Sequence, residues 1–181
     1  MSKARERYTQ LLSNRTQFLD TAVECSELTL PYLVTQDDNY KGKRTLIQPY
    51  QSVGAKAVVT LAAKLMLAIL PPQSAFFKLQ VRDDKLGEQL DQTMRSELDL
   101  SFSKIERLIM DYIAASSDRV VVHQALKHLI VSGNALIFMS KDGLKHYPLQ
   151  RYVVNRDGNG NVVEIVTKEL ISREILGIES P

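Results

Sequence analysis

Asp157, Asn159 and Asn161 stand at alternate positions, as the first three oxygen ligands of a calcium loop do. The frame breaks after them, because the sixth position lacks its glycine and Lys168 occupies the twelfth, where a bidentate Glu is required. Gly158, Asn159 and Gly160 are also the residues a tight turn needs for positive φ. Turn chemistry therefore accounts for every residue of the loop, and metal for three of them. His123, His128 and His146 are the only histidines. The first two are five apart, on different faces of a helix, and no Cys or nearby carboxylate completes a metal site. Each is expected to be a satisfied structural or surface histidine.

Gly54-Ala55-Lys56 lacks the Gly-x-x-x-x-Gly-Lys-Ser/Thr frame of a phosphate loop, and neither Gly-x-Gly-x-x-Gly nor Gly-x-Ser-x-Gly occurs. The carboxylate pairs Asp37-Asp38 and Asp83-Asp84 fall in loop and capping contexts, which suit solvated polar roles better than acid/base work. No catalytic, cofactor-binding or metal residue is expected. Lys41, Lys43 and Arg44, beside Tyr40, form the one compact basic cluster. It could touch phosphate or a partner's acidic surface, although three charges in a loop are also what a solvated segment carries.

The totals agree with a non-catalytic reading. The 181 residues suffice for one domain with a core, and a net charge of +2 gives no strong pull toward nucleic acid or acidic membranes. Cys25 is the single cysteine; it excludes an internal disulfide, fits a reducing compartment and is expected as a buried small hydrophobe. No apolar signal-peptide core follows Met1. Val53 to Leu70 is long enough to approach a membrane span, but Lys56 and Lys64 would lie in the hydrocarbon.

The elements follow from periodicity. Tyr8, Leu11, Leu12, Phe18, Leu19, Ala22 and Val23 predict one helix from Lys3 to Leu28, closed by Pro31. A long polar loop extends to Pro49. A second helix starts at Ser52 and stops at Pro71-Pro72; it is apolar over so much of its surface that burial is expected. Its Gly54, Ala55, Ala57, Ala62, Ala63 and Ala68 permit close helix approach, within the domain or between subunits. Phe77, Leu79 and Val81 alternate with polar residues as a half-buried strand does. Asp83 or Asp84 is the expected cap of a third, long helix with Leu90, Met94, Leu98, Phe102, Ile105, Ile109, Tyr112 and Ile113 on one face. A fourth helix runs from Ser116-Ser117-Asp118 to Gly133-Asn134. Two hairpins follow: residues 135–140 with 145–149, where Pro148 confines the return strand to an edge, and residues 152–156 with 161–168. Residues 169–177 look like the start of a further helix. The fold class is α+β, mainly α, with residues 1–134 mainly helical and 135–168 as β-hairpins.

Several ordered blocks resemble one family. They are Ser-Val-Gly-Ala-Lys (residues 52–56), Leu-Ala-Ala-Lys-Leu-Met-Leu-Ala (61–68) with its proline exit, Ile-Glu-Arg-Leu-Ile-Met-Asp-Tyr-Ile (105–113) and Gln-Ala-Leu-Lys-His-Leu-Ile-Val-Ser-Gly-Asn-Ala-Leu (124–136). Tyr-Val-Val-Asn-Arg-Asp (152–157), Gly-Asn-Val (160–162) and Val-Thr-Lys (166–168) complete the set. Together they resemble the N-terminal part of the head-to-tail connector, or portal protein, of short-tailed (podoviral) bacteriophages.

The resemblance implies a structural subunit of a twelve-membered homo-oligomeric ring at one capsid vertex, without catalysis. Implied partners are capsid and scaffolding protein, the terminase, the tail adaptor and the double-stranded DNA passing through the channel. No small-molecule substrate, cofactor or membrane is implied. The implied location is the virion, after assembly in the host cytoplasm. All 181 residues correspond to one wing-type region, and the stem, clip and crown sequences lie outside them, so the chain is expected to stop partway through a larger protein. A monomeric helical adaptor or membrane-surface protein, using the Val53 to Leu70 helix, is the alternative reading.

Overall fold

The computed structural model of the chain describes residues 3–35, 46–72, 74–80, 91–141, 143–169 and 171. The first apolar period folds as two helices rather than one: α1, Lys3–Ser13, and α2, Thr16–Leu28. The break has local and tertiary causes. Ser13 Oγ donates to the Gln10 carbonyl at 2.8 Å and Thr16 Oγ1 to the Ser13 carbonyl at 3.0 Å, side-chain bonds that compete with helical pairing. Arg15, at φ −116°, turns away from the helix and donates from Nη2 to the Leu149 carbonyl at 2.8 Å. Its guanidinium lies 5.8 Å over the Tyr152 ring.

α2 buries Ala22, Val23 and Ser26 and ends ahead of Pro31. Ser26 Oγ donates to the Leu30 carbonyl at 2.8 Å and accepts the Val34 N–H at 3.1 Å, so one buried hydroxyl fixes the exit turn. Cys25 faces solvent, contrary to the expectation of burial, because it points away from the Ala22–Ser26 stripe. α3, Val53–Ile69, follows Ser52 as expected, although the serine side chain makes no capping bond. A Cβ on Gly54 would lie 2.8 Å from the Leu28 carbonyl oxygen, so the glycine admits the end of α2 against the start of α3. Arg119 Nη2 donates to the Leu70 carbonyl at 2.8 Å and closes the other end of α3.

The alternation at Phe77 and Leu79 survives as alternating burial, but residues 77–80 pair with no strand among the described residues. Val81 and the expected caps Asp83 and Asp84 lie outside those residues. α4 is described from Gln92 to Ala115, with Asp91 Oδ1 accepting the Gln92 N–H at 2.7 Å. α5, Asp118–Ser132, ends at Gly133 with φ 71°, the left-handed stop that glycine allows.

Two antiparallel hairpins complete a mainly helical α+β fold. β1, Leu136–Ser140, pairs with β2, Gly143–Tyr147; β3, Tyr152–Arg156, pairs with β4, Val162–Thr167. Pro148 follows β2, and Leu149–Arg151 forms a short 3-10 turn where the return strand was expected to continue. Glu169 and Ile171 are not helical, and the rest of the helix expected over residues 169–177 lies outside the described residues.

The main core lies where α2, α3 and α5 meet β2, the 3-10 turn and β3, around Val23, Val34, Val58, Val131, Leu149 and Tyr152. Ala62, Met66 and Leu126 form a smaller cluster between α3 and α5. α1 covers the second hairpin, through Arg7 Nε to Glu164 at 2.9 Å, and the 3-10 turn before it, through Tyr8 Oη to the Gln150 carbonyl at 2.7 Å.

Candidate assembly surface

α4 carries the sequence's steadiest helical period, yet none of its 24 residues is buried. At about 1.5 Å per residue it is a rod of about 36 Å. Leu98, Phe102, Glu106, Met110 and Ile113, spaced by three or four, are half-buried. Met94, Ile105, Leu108 and Tyr112 extend the same apolar face into solvent, Leu108 and Tyr112 being 68% and 67% exposed. The helix is fixed at its middle, where Glu106 Oε1 accepts the Leu79 N–H at 2.6 Å. Pro72, Ser74 and Ala75 line a groove of about 310 Å³ with Ser103, Glu106, Arg107 and Met110.

α3 behaves similarly. The expected burial holds for one stripe, Val58, Ala62 and Met66, whereas Val53, Val59, Leu61, Leu67 and Ile69 are exposed. A 17-residue helix bounded by two neighbours covers only one side, and Lys56 and Lys64 occupy part of the remainder. On one flank Leu67 and Ala63 border a groove of about 430 Å³ shared with Arg119, Val120 and His123 of α5. Near its start a larger hollow, about 600 Å³, is walled by Leu28, Ile47, Pro49, Tyr50 and Gly54, with Glu24 and Glu27 at its rim. Ile137, Phe138 and Met139 project from β1.

Exposed apolar helix faces are surfaces suited to meeting further polypeptide. Fully burying one such side chain stabilises an interface by about 1.5–3 kcal/mol, and the remaining exposure of Ile105, Leu108, Ile109 and Tyr112 leaves about half of that available at each. No described helix is long and apolar enough to cross a membrane.

The residues considered for chemistry are dispersed. Asp157 Oδ1 accepts the N–H groups of Asn159 at 3.0 Å and Asn161 at 2.7 Å, and Oδ2 accepts Asn161 Nδ2 at 3.0 Å. The Asn161 bonds hold its pKa below the ordinary carboxylate value. The carboxylate is thus spent on the turn, and Gly160 takes the positive φ, 84°. His123 lies on the α3–α5 groove, with its pKa lowered by partial burial and Lys127. His128 and His146 were expected to be satisfied, and their tilted, touching rings instead leave one buried nitrogen each without a partner among the described residues. That pairing joins a helix to a strand 18 positions away, which no short-range spacing signals. Lys41, Lys43 and Arg44, like Asp37 and Asp38, fall outside the described residues. Among the described residues no three His, Cys, Asp or Glu side chains gather as a metal site.

The profile of the bacteriophage head-to-tail connecting protein family matches residues 1–176. The chain belongs to that family. It is 38% identical over 176 residues to the portal protein of Enterobacteria phage T3 and 34% identical over 176 residues to that of Escherichia phage T7, in each case covering 93% of this chain and 32% of the relative. The portal protein of Enterobacteria phage SP6 is 33% identical over 169 residues, covering 91% of this chain and 32% of the relative. The chain thus spans about a third of the length of these relatives.

Proposed function

We propose that this chain is a non-catalytic structural part of a portal ring at one vertex of a phage capsid. Residues 1–181 act in it as a single wing-type region, helical through residue 134 and then β-hairpin. The ring is a homo-oligomer of twelve subunits that meets capsid and scaffolding protein, terminase and tail adaptor, and it passes double-stranded DNA during packaging and ejection. Its location is the virion, after assembly in the host cytoplasm. The relatives named as portal proteins support this reading.

The observation that carries it is α4, a 24-residue amphipathic helix with no buried residue. A closed ring joins two different patches of each subunit, and exposed apolar helix faces are suitable patches. Lys41, Lys43 and Arg44 are proposed as a basic contact loop toward phosphate or an acidic partner surface. The gene product carrying this chain, purified and imaged by electron microscopy, is expected to form ring particles. A product that stays monomeric under all conditions overturns the reading.

A further inference from the structure

Besides the core packing of Leu136 and Tyr147 with Val131, two side-chain contacts join the first hairpin to α5. At the start of the helix, Asp118 Oδ1 accepts the Leu144 N–H at 2.8 Å. Farther along, the His128 ring of α5 packs against the His146 ring of β2, with centroids 4.4 Å apart and planes tilted by 43°. His128 Nδ1 and His146 Nε2 are buried there, and no group of the described residues hydrogen-bonds to either. We propose that this imidazole pair is a proton-operated latch, which holds the β1–β2 hairpin on α5 when both rings are neutral and releases it when either ring is protonated.

Among the described residues the surroundings offer no second charge to hold a proton in place. One turn to either side of His128 on α5 stand Gln124, Ala125, Val131 and Ser132, none of them ionisable at these pH values. Lys127 is on another bearing and acts on His123. On β2, Lys145 and Tyr147 alternate away from His146 and are both engaged by Glu169. β1 sets Ile137 opposite His146 and contains no titratable residue. α2 and α3 turn their buried stripes inward, Ala22, Val23 and Ser26 on one and Val58, Ala62 and Met66 on the other, while Lys56 and Lys64 are exposed. α4 joins α5 at Ser116 and Ser117, about 17 Å along the axis before His128. Asp118 and Arg119 at that end are bonded to Leu144 and Leu70. Among the described residues His128 therefore faces one titratable group, His146, whose proton would repel its own.

Burial, with His146 adding repulsion, lowers the His128 pKa from 6.5 to about 4, and burial also lowers that of His146. A depressed histidine pKa gives stability that is complete above the unfolded value, about 6.5, and is lost as pH falls from there toward about 4. If release takes up one proton, the ratio of open to closed hairpin rises about tenfold per pH unit across that window.

Hydrogen exchange on the 181-residue chain, followed by NMR at pH 7.5, 6.5 and 5.5 and corrected for intrinsic exchange, tests the latch. The β1–β2 amides are expected to open about tenfold more per pH unit below 6.5, while the β3–β4 amides do not change. The His128→Gln/His146→Gln variant is expected to lose that slope. A pH-independent wild-type hairpin, or a variant with the same slope, overturns the proposal. Should the variant not fold, the wild-type imidazole titration decides: a His128 midpoint well below 6.5 alongside the hairpin slope supports the latch, and a midpoint near 6.5 overturns it.

Discussion

Glu106 of α4 accepts the backbone N–H of Leu79 at 2.6 Å, across 27 residues of sequence. This bond ties a helix with no buried residue to an extended segment with no strand partner among the described residues. A hydrogen bond to a charged, half-buried acceptor contributes about 1.5–3 kcal/mol. Glu106→Ala is expected to raise exchange at the Leu79 amide about tenfold or more and to leave the melting of the α2–α5 core within a degree or two. Unchanged Leu79 protection contradicts the tie.

Ser26→Ala removes one hydroxyl and leaves two buried backbone groups, the Leu30 carbonyl and the Val34 N–H, without that partner. The expected loss is about 1–3 kcal/mol, read from urea unfolding of the 181-residue chain. A loss below about 0.5 kcal/mol would show that the exit turn of α2 holds by packing alone.

Gly54→Ala sets helix propensity against packing. Alanine is the better helix former, by less than the about 1 kcal/mol of a helix interior because Gly54 is the second residue of α3, and its Cβ would meet the Leu28 carbonyl oxygen at 2.8 Å. Backbone is the obstacle, so the ends of α2 and α3 must separate, and a net destabilisation of about 1–2 kcal/mol is expected. Denaturant midpoints check the sign, and a stabilised variant contradicts the close approach.

The Asp157 turn makes opposite predictions for proton and calcium. Because hydrogen bonds from Asn161 depress its pKa, the contribution of the carboxylate is present above the ordinary Asp range and is lost as pH falls through the lowered folded value. Carboxyl NMR is expected to give a midpoint below 3.8. Addition of millimolar calcium should leave the Asp157 and Asn161 resonances in place; saturable shifts would restore the metal reading.

Helix positions and both hairpins were legible because period and stop signals coincide. Pro71-Pro72, Gly133 and the Asp157-Gly160 turn end elements where the apolar pattern also ends. The break at Arg15 was not, since Leu11, Leu12, Phe18 and Leu19 continue one period across it and the cause lies in distant Leu149 and Tyr152. Apolar residues gave the helices α3 and α4 correctly, but the burial expected of α3 holds for only one of its stripes. Periodicity reports that a face needs a partner, and leaves open whether this chain or another polypeptide supplies it. The His128–His146 contact is a matter of tertiary register and has no local signature.

The open face of α4 is the central claim, and Leu108→Ser with Tyr112→Ser tests it most directly. Both side chains are about two-thirds exposed, so the thermal stability of the 181-residue chain is expected to change by less than about 0.5 kcal/mol. Ring particles of the gene product carrying the two substitutions, counted by electron microscopy, are expected to fall at least tenfold as about 2 kcal/mol or more of interface burial is lost per subunit. Rings at the wild-type level, from a chain of unchanged stability, would contradict the assignment of α4 to subunit assembly.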